Sequence, residues 1–137
     1  MVMRENKYRG RRLDNGEWEY GDLVQFGQKC YTPCKCAIIP GTASGSDPLC
    51  KILFDYEVDP ATVGQYTGLK DKNGKEICEG DILLDESGTY AVVGYSMGAF
   101  YVDFGEGFDL QYFAECIHEI CEVVGNIHDD PELLKTE

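Results

Sequence analysis

The chain has 137 residues, 43% of them hydrophobic and 27% charged, and its twelve Lys and Arg against 25 Asp and Glu give a net charge of −13. That composition supports one folded domain with a sizeable core and excludes disorder along the whole chain. No apolar run reaches the roughly 18 residues of a membrane helix, and no apolar stretch follows the basic residues of MVMRENKYRGRR, so the expectation is a soluble, cytoplasmic protein without a membrane or secretory segment.

The elements read as many short strands separated by turn signals, the pattern of a barrel or sandwich. Asp14-Asn15-Gly16 is a tight-turn signal between strands predicted at Lys7–Leu13 and Glu17–Gln25. Trp18 and Tyr20 alternate with Glu17 and Glu19, which puts two aromatics on one strand face. Lys29–Ile39 is a strand broken by Pro33, hence an edge strand or a bulge, and an edge on which a second copy could pair. Gly41–Pro48 (GTASGSDP) reads as a flexible loop. Lys51–Val58 reads as a strand with Ile52, Phe54 and Tyr56 in alternation. Asp59-Pro60 reads as a helix cap with Pro in the first helical position, but Gly64 leaves room for one turn only.

Beyond Gln65, Lys72-Asn73-Gly74-Lys75 is a tight turn. Strands are predicted at Ile82–Leu84, Thr89–Tyr95 and Ala99–Phe104, joined by Ser87-Gly88 and Met97-Gly98, and together they make a meander. Leu110–Val124 mixes two periods. A short helix is predicted near Leu110–Ile117 and a strand at Cys121–Ile127. Asp130-Pro131 opens a final capped turn.

The charge is polarised. Residues 1–12 hold Arg4, Lys7, Arg9, Arg11 and Arg12 against one acid, a local +4, whereas residues 76–137 hold one Lys and 15 acids, a local −14. An acidic body repels phosphate, so nucleic acid is a disfavoured partner, and the basic head reads first as a strand with solvated or internally paired side chains. The seven cysteines suit reduced thiols in a cytosolic chain. Cys30, Cys34, Cys36 and Cys50 lack the two close pairs of a structural zinc site and read as small apolar side chains. No metal and no cofactor is expected.

No catalytic constellation emerges. His118-Glu119-Ile120-Cys121-Glu122 falls one His short of a zincin helix. Asp71-Lys72-Asn73-Gly74 has its Gly too early for a calcium loop and reads as a turn. A Cys–His dyad of Cys116 or Cys121 with His118 would sit among acids that raise a thiol's pKa. Glu79 and Asp81, two apart on an extended chain, would face the same way as an acidic pair, although such side chains more often bond turn amides.

Val63–Asp81 reads VGQYTGLKDKNGKEICEGD and runs into Ile82-Leu83-Leu84. This segment closely resembles the signature of the YopX-like family of phage and prophage proteins. KYRGRRLDNGEWEYGDLV at Lys7–Val24, VDPATVGQYTG at Val58–Gly68 and EVVGNIHDDPELL at Glu122–Leu134 are similar to other stretches of that family. Cys78 stands where the family more often has an aromatic residue, and the Cys-bearing stretch from Cys30 to Cys50 resembles no family-wide pattern. The resemblance implies a small, mainly β protein with barrel-like parts and short helical turns, encoded by a phage or prophage. It implies no catalytic residue.

The expected organisation is one domain over residues 1–137, with an N-terminal β part at 1–62 and a signature-bearing, barrel-like part at 63–137. Within the signature, Gly68, Gly74 and Gly80 give backbone freedom at turns. Asp71 and Asn73 bond turn amides, and Tyr66, Leu69, Ile77 and Ile82 anchor the segment. The competing reading makes it a recognition surface, with Thr67, Lys70, Asp71, Lys72 and Lys75 exposed. Tyr66, Thr67, Gly68, Leu69, Lys70, Asp71, Asn73, Gly74, Glu79, Gly80 and Asp81 are therefore the candidate interaction residues. Three functions remain in view. The first is a non-enzymatic module whose acidic half binds a host or phage protein. The second is a small-barrel nucleic-acid binder using the basic head with Tyr8, Trp18 and Tyr20. The third, least favoured, is a metal-dependent hydrolase using Glu79 and Asp81.

Overall fold

A computed structural model describes residues 7–25, 36–41, 55–105, 111–112 and 117–135. The fold is mainly β, and its contacts cluster into two units, Met1–Gln65 and Tyr66–Glu137.

In the first unit, Asn15 and Gly16 turn the chain between β1 (Tyr8–Arg11) and β2 (Trp18–Gln25). Gly16 has φ +73°, and the Asn15 Oδ1 accepts the Glu17 amide at 2.9 Å. The strands pair antiparallel, with Arg9 opposite Tyr20 and Arg11 opposite Trp18. β3 (Cys36–Ile39) pairs with the outer side of β2. The core joins Cys36, Ile38 and Val58, with Tyr8, Leu23 and Val63 packed on it. Asp59 caps the single 3-10 turn Pro60–Thr62 as expected, its carboxylate accepting the Ala61 amide. The first residues of β4 (Gly64–Lys70) then run along β1, with Gln65 opposite Tyr8.

Two expectations change here. Asp55 and Tyr56 lie in a helical end and a turn, so the strand predicted at Lys51–Val58 is reduced, among its described residues, to bridges at Glu57 and Val58. Those bridges also change the expected edge. Ile38 N–H donates to Tyr56 O at 3.1 Å and Val58 N–H to Cys36 O at 3.2 Å, so the outer edge of β3 is occupied by the chain itself. The remainder of Lys29–Ile39, including Pro33, lies outside the described residues, as does most of Gly41–Pro48.

In the second unit, β4 continues and pairs with β5 (Glu76–Cys78) around the 71–75 turn. A five-stranded antiparallel sheet follows in the order β10-β6-β7-β8-β9. Its strands are β6 (Asp81–Leu84), β7 (Tyr90–Ser96), β8 (Ala99–Asp103), β9 (Gln111–Tyr112) and β10 (Glu122–Asn126). The predicted meander is thus β6-β7-β8. Leu83 faces Ala91 and Val93 faces Val102, so period-two alternation brings them to one side. There they join Ile77 and Cys121 in a core on which Phe104 and Val123 pack. Neither sheet order closes on itself among the described residues, so the barrel-like expectation holds only as a mainly β architecture.

The helix predicted near Leu110–Ile117 is corrected at residues 111 and 112; residue 110 and residues 113–116 lie outside the described residues. Gln111 and Tyr112 extend along β8, opposite Val102 and Tyr101, and α1 is the single turn Ile117–Ile120. The open edge of β8 offers backbone partners, which outweigh a local helical period. The strand expected at Cys121–Ile127 is present as β10, with a bulge between Val123 and Gly125. The terminal 3-10 turn Pro131–Leu134 forms, but Asp130 makes no side-chain cap. Its Oδ2 instead accepts the Asn126 amide at 3.2 Å.

Candidate functional site

The signature folds around two carboxylates. Asp71 directly follows β4 and is 7% exposed. Its Oδ1 accepts the amides of Asn73 at 2.9 Å and Lys75 at 2.8 Å, and its Oδ2 accepts the amide of Val123 at 2.8 Å. Burial alone would push this carboxyl upward. The amides of Val123, Lys75 and Asn73 outweigh it and hold the pKa below the usual value. The same turn is closed by Asp71 N–H to Lys75 O at 2.7 Å, and Lys72 N–H donates to Cys121 O at 3.2 Å. Asn73 Nδ2 reaches Glu122 Oε2 at 3.2 Å.

Asp81 is 1% exposed, and its Oδ2 accepts the Cys78 amide at 2.7 Å. Between them the chain turns at Gly80, whose φ of +91° removes the extended geometry on which a Glu79–Asp81 pair depended. Glu79 stays half-buried while Asp81 goes inward. The Gly80 peptide bonds both ways, its N–H to Val93 O at 2.8 Å and its O from Ile127 N–H at 2.9 Å. Gly74 has φ +85° within the 71–75 turn, as expected, whereas Gly68, φ +88°, lies not at a turn but inside β4, where the register with β5 shifts between Tyr66 and Lys70.

The remaining signature residues divide by burial. Tyr66, Ile77 and Ile82 are buried and Leu69 is half-buried, which fits their role as anchors. Thr67 was a candidate surface residue but is buried, its hydroxyl donating to Ile77 O at 2.8 Å and accepting the Leu69 amide at 3.1 Å. Asp71 leaves the recognition surface for the same reason. Lys70, Lys72 and Lys75 stay exposed.

The YopX protein family model matches residues 7–135. The chain belongs to the YopX protein family. It is also similar to a solved structure, the crystal structure of protein EF1440 from Enterococcus faecalis, at 25% identity and a TM-score of 0.58, over 96% of this chain and 99% of that one. No curated protein matches the chain. In this YopX chain Cys78, at the position where an aromatic was expected, is 3% exposed and ends β5.

The basic head is engaged by its own surroundings. Arg12 binds Asp14 at 2.7 Å, Glu19 at 3.3 Å and the Asp55 carbonyl at 2.7 Å, and lies 5.2 Å over the Tyr56 ring. The Asp14 bond is the chief cause of its raised pKa. Arg9, 6% exposed, and Arg11 approach the Trp18 ring at 5.0 and 5.2 Å. Trp18 therefore receives guanidinium groups rather than standing open as a stacking platform. Tyr20 is exposed and Tyr8 packs on the core. Lys7 is half-buried, and Arg4 lies outside the described residues.

Cys36, Cys78 and Cys121 are buried thiols outside any disulfide, and the Cys36 Sγ lies 3.6 Å from the Val58 carbonyl. Burial pushes Cys121 up to about 11, with the Asp85 charge adding to it. Cys30, Cys34, Cys50 and Cys116, and the His118 side chain, lie outside the described residues. No three His, Cys, Asp or Glu gather as a metal site among the described residues. No helix among them is long and apolar enough to cross a membrane.

One surface was missed from sequence. At the β7–β8 turn Met97 is 93% exposed, and Tyr95, 51% exposed, meets Phe100 edge to face at 5.1 Å. The signal was present in the residues: Tyr90–Val102 contains no Asp, Glu, Lys or Arg.

Proposed function

We propose that this YopX-family chain is a phage- or prophage-encoded accessory protein that acts in the bacterial cytoplasm by binding a host or phage protein, not by catalysis. The observation that carries the reading is the use of the signature carboxylates. Asp71 spends both carboxylate oxygens, and Asp81 its Oδ2, on backbone amides at 2.7 to 2.9 Å, so the signature serves as a frame. Within residues 76–137, a segment of net −14, the exposed acids among the described residues are Glu86, Glu119, Asp129 and Glu132. Such a field steers a basic partner and fixes its orientation more than it adds affinity.

The test is capture of partners from host lysate by the tagged chain at low and high salt, with and without nuclease. A stoichiometric protein partner that survives nuclease and weakens with salt is expected. Capture that ignores salt, or that depends on nucleic acid, overturns the reading.

A further inference from the structure

Met97 does nothing for the fold. It is 93% exposed, so it buries almost no surface. Its φ is +52°, the left-handed region, at a tip where Asn or Gly would sit without strain. Gly98 follows at φ +81°, and Ser96 pairs with Ala99, so the tip is a two-residue hairpin loop. An outlier that burial does not repay points toward function.

The neighbourhood agrees. Tyr95 and Phe100 stand opposite each other in the register, one pair behind the tip, with their rings held edge to face. Thirteen consecutive residues, Tyr90–Val102, are uncharged in a chain whose charged fraction is 27%. Aromatic residues and Met are the types that concentrate at the centres of protein interfaces, where charge is depleted. The flexible thioether of Met adapts to an irregular pocket.

We propose that the β7–β8 hairpin tip is a docking knob whose Met97 inserts into an apolar pocket on a basic partner protein. This rests on the protein-binding reading above and names its contact surface. Charge selects the occupant. The unit Tyr66–Glu137 has four Lys and 16 acids, net −12, so an approaching surface must be positive around its apolar socket. A second copy brings the same negative charge and is repelled. Phosphate-bearing surfaces are repelled as well.

The experiment places a photo-crosslinking methionine analogue at position 97 of the full chain. The chain is exposed to host lysate and the crosslinked site is mapped by mass spectrometry. Capture by unmodified chain, Met97→Gly and Tyr95→Ser is compared in parallel. A crosslink from position 97 to one basic protein is expected. Its salt-sensitive capture should fall at least tenfold in Met97→Gly, while the Tm of that variant stays level or rises, because Gly relieves the φ. A structural role for Met97 would move both together. Capture by Met97→Gly equal to wild type overturns the knob and leaves the binding reading standing. A crosslink only to a second copy also overturns it. Absence of any captured protein overturns both.

Discussion

Asp71 Oδ2 accepts the Val123 amide at 2.8 Å, a bond that spans 52 positions of sequence and fastens the signature turn to β10. Both carboxylate oxygens act only as acceptors, for three amides in all. Asn at this position would turn an NH2 group toward an N–H. Asp71→Asn is therefore expected to lose about 1–3 kcal/mol of stability, the scale of an unsatisfied buried polar group. Urea unfolding checks it. A loss within error of zero would mean the turn holds without the staple.

The same carboxylate has a pH signature. Its folded pKa lies below the ordinary value, so its contribution is complete above about pH 4, near the unfolded carboxylate value. It is lost as pH falls through the lower folded value. Asp85 behaves alike: burial opposes ionisation, but the Ser87 hydroxyl and the amides of Thr89, Ser87 and Gly88 prevail. Stability is expected to fall below pH 4, and less steeply in Asp71→Asn. Denaturant midpoints from pH 2 to 6 measure the slopes.

Much of the local structure was legible because turn chemistry is local. Asp59-Pro60, Asn15-Gly16 and the Gly98 of the β7–β8 tip each mark their turn through residues a few positions apart. The 111–112 segment was misread because its conformation depends on the edge of β8, which no short window contains. The acidic-pair alternative for Glu79 and Asp81 fails because spacing cannot reveal the φ of Gly80, whereas the favoured reading, a carboxylate bonded to a turn amide, holds at Asp81. Thr67 and Asp71 were offered as surface because polarity suggests exposure, yet their oxygens are occupied by the backbone. At the β7–β8 tip the uncharged run Tyr90–Val102 is legible, but which of its side chains stands exposed, Met97 above all, is a tertiary property.

The three buried thiols should be inert in the folded chain. Burial raises Cys36, with Glu57 and Asp59 adding to it, and pushes Cys121 up to about 11, so thiolate is scarce at pH 8. Iodoacetamide at pH 8 is expected to leave Cys36, Cys78 and Cys121 unmodified until denaturant is added. Peptide mapping before and after unfolding reads this directly. Rapid native labelling of Cys121 would contradict its place in the core.

Gly125 lies against Asp130. A Cβ there would meet the Asp130 Oδ2 at 2.5 Å and its Cγ at 2.9 Å. The carboxylate cannot swing away without releasing the Asn126 amide. Gly125→Ala is expected to cost about 1–3 kcal/mol, as overpacking does. Asp130→Ala should recover part of that loss in the double variant, since the two residues share one contact. Additive losses would place the strain elsewhere.

The first strand should fail as a nucleic-acid site for a reason visible in its contacts. Arg12 holds Asp14, Glu19 and the Asp55 carbonyl, and Arg9 and Arg11 approach Trp18. A phosphate would have to displace these interactions against a net charge of −13. Fluorescence anisotropy with labelled single-stranded and duplex DNA at 50 mM salt is expected to show no binding at micromolar protein. Arg12→Ala should instead lower the Tm, by less at high salt where its ion pairs are already screened. Saturable binding lost in Arg12→Ala at unchanged Tm would reverse the assignment, making the strand an interface and its internal pairs a resting state.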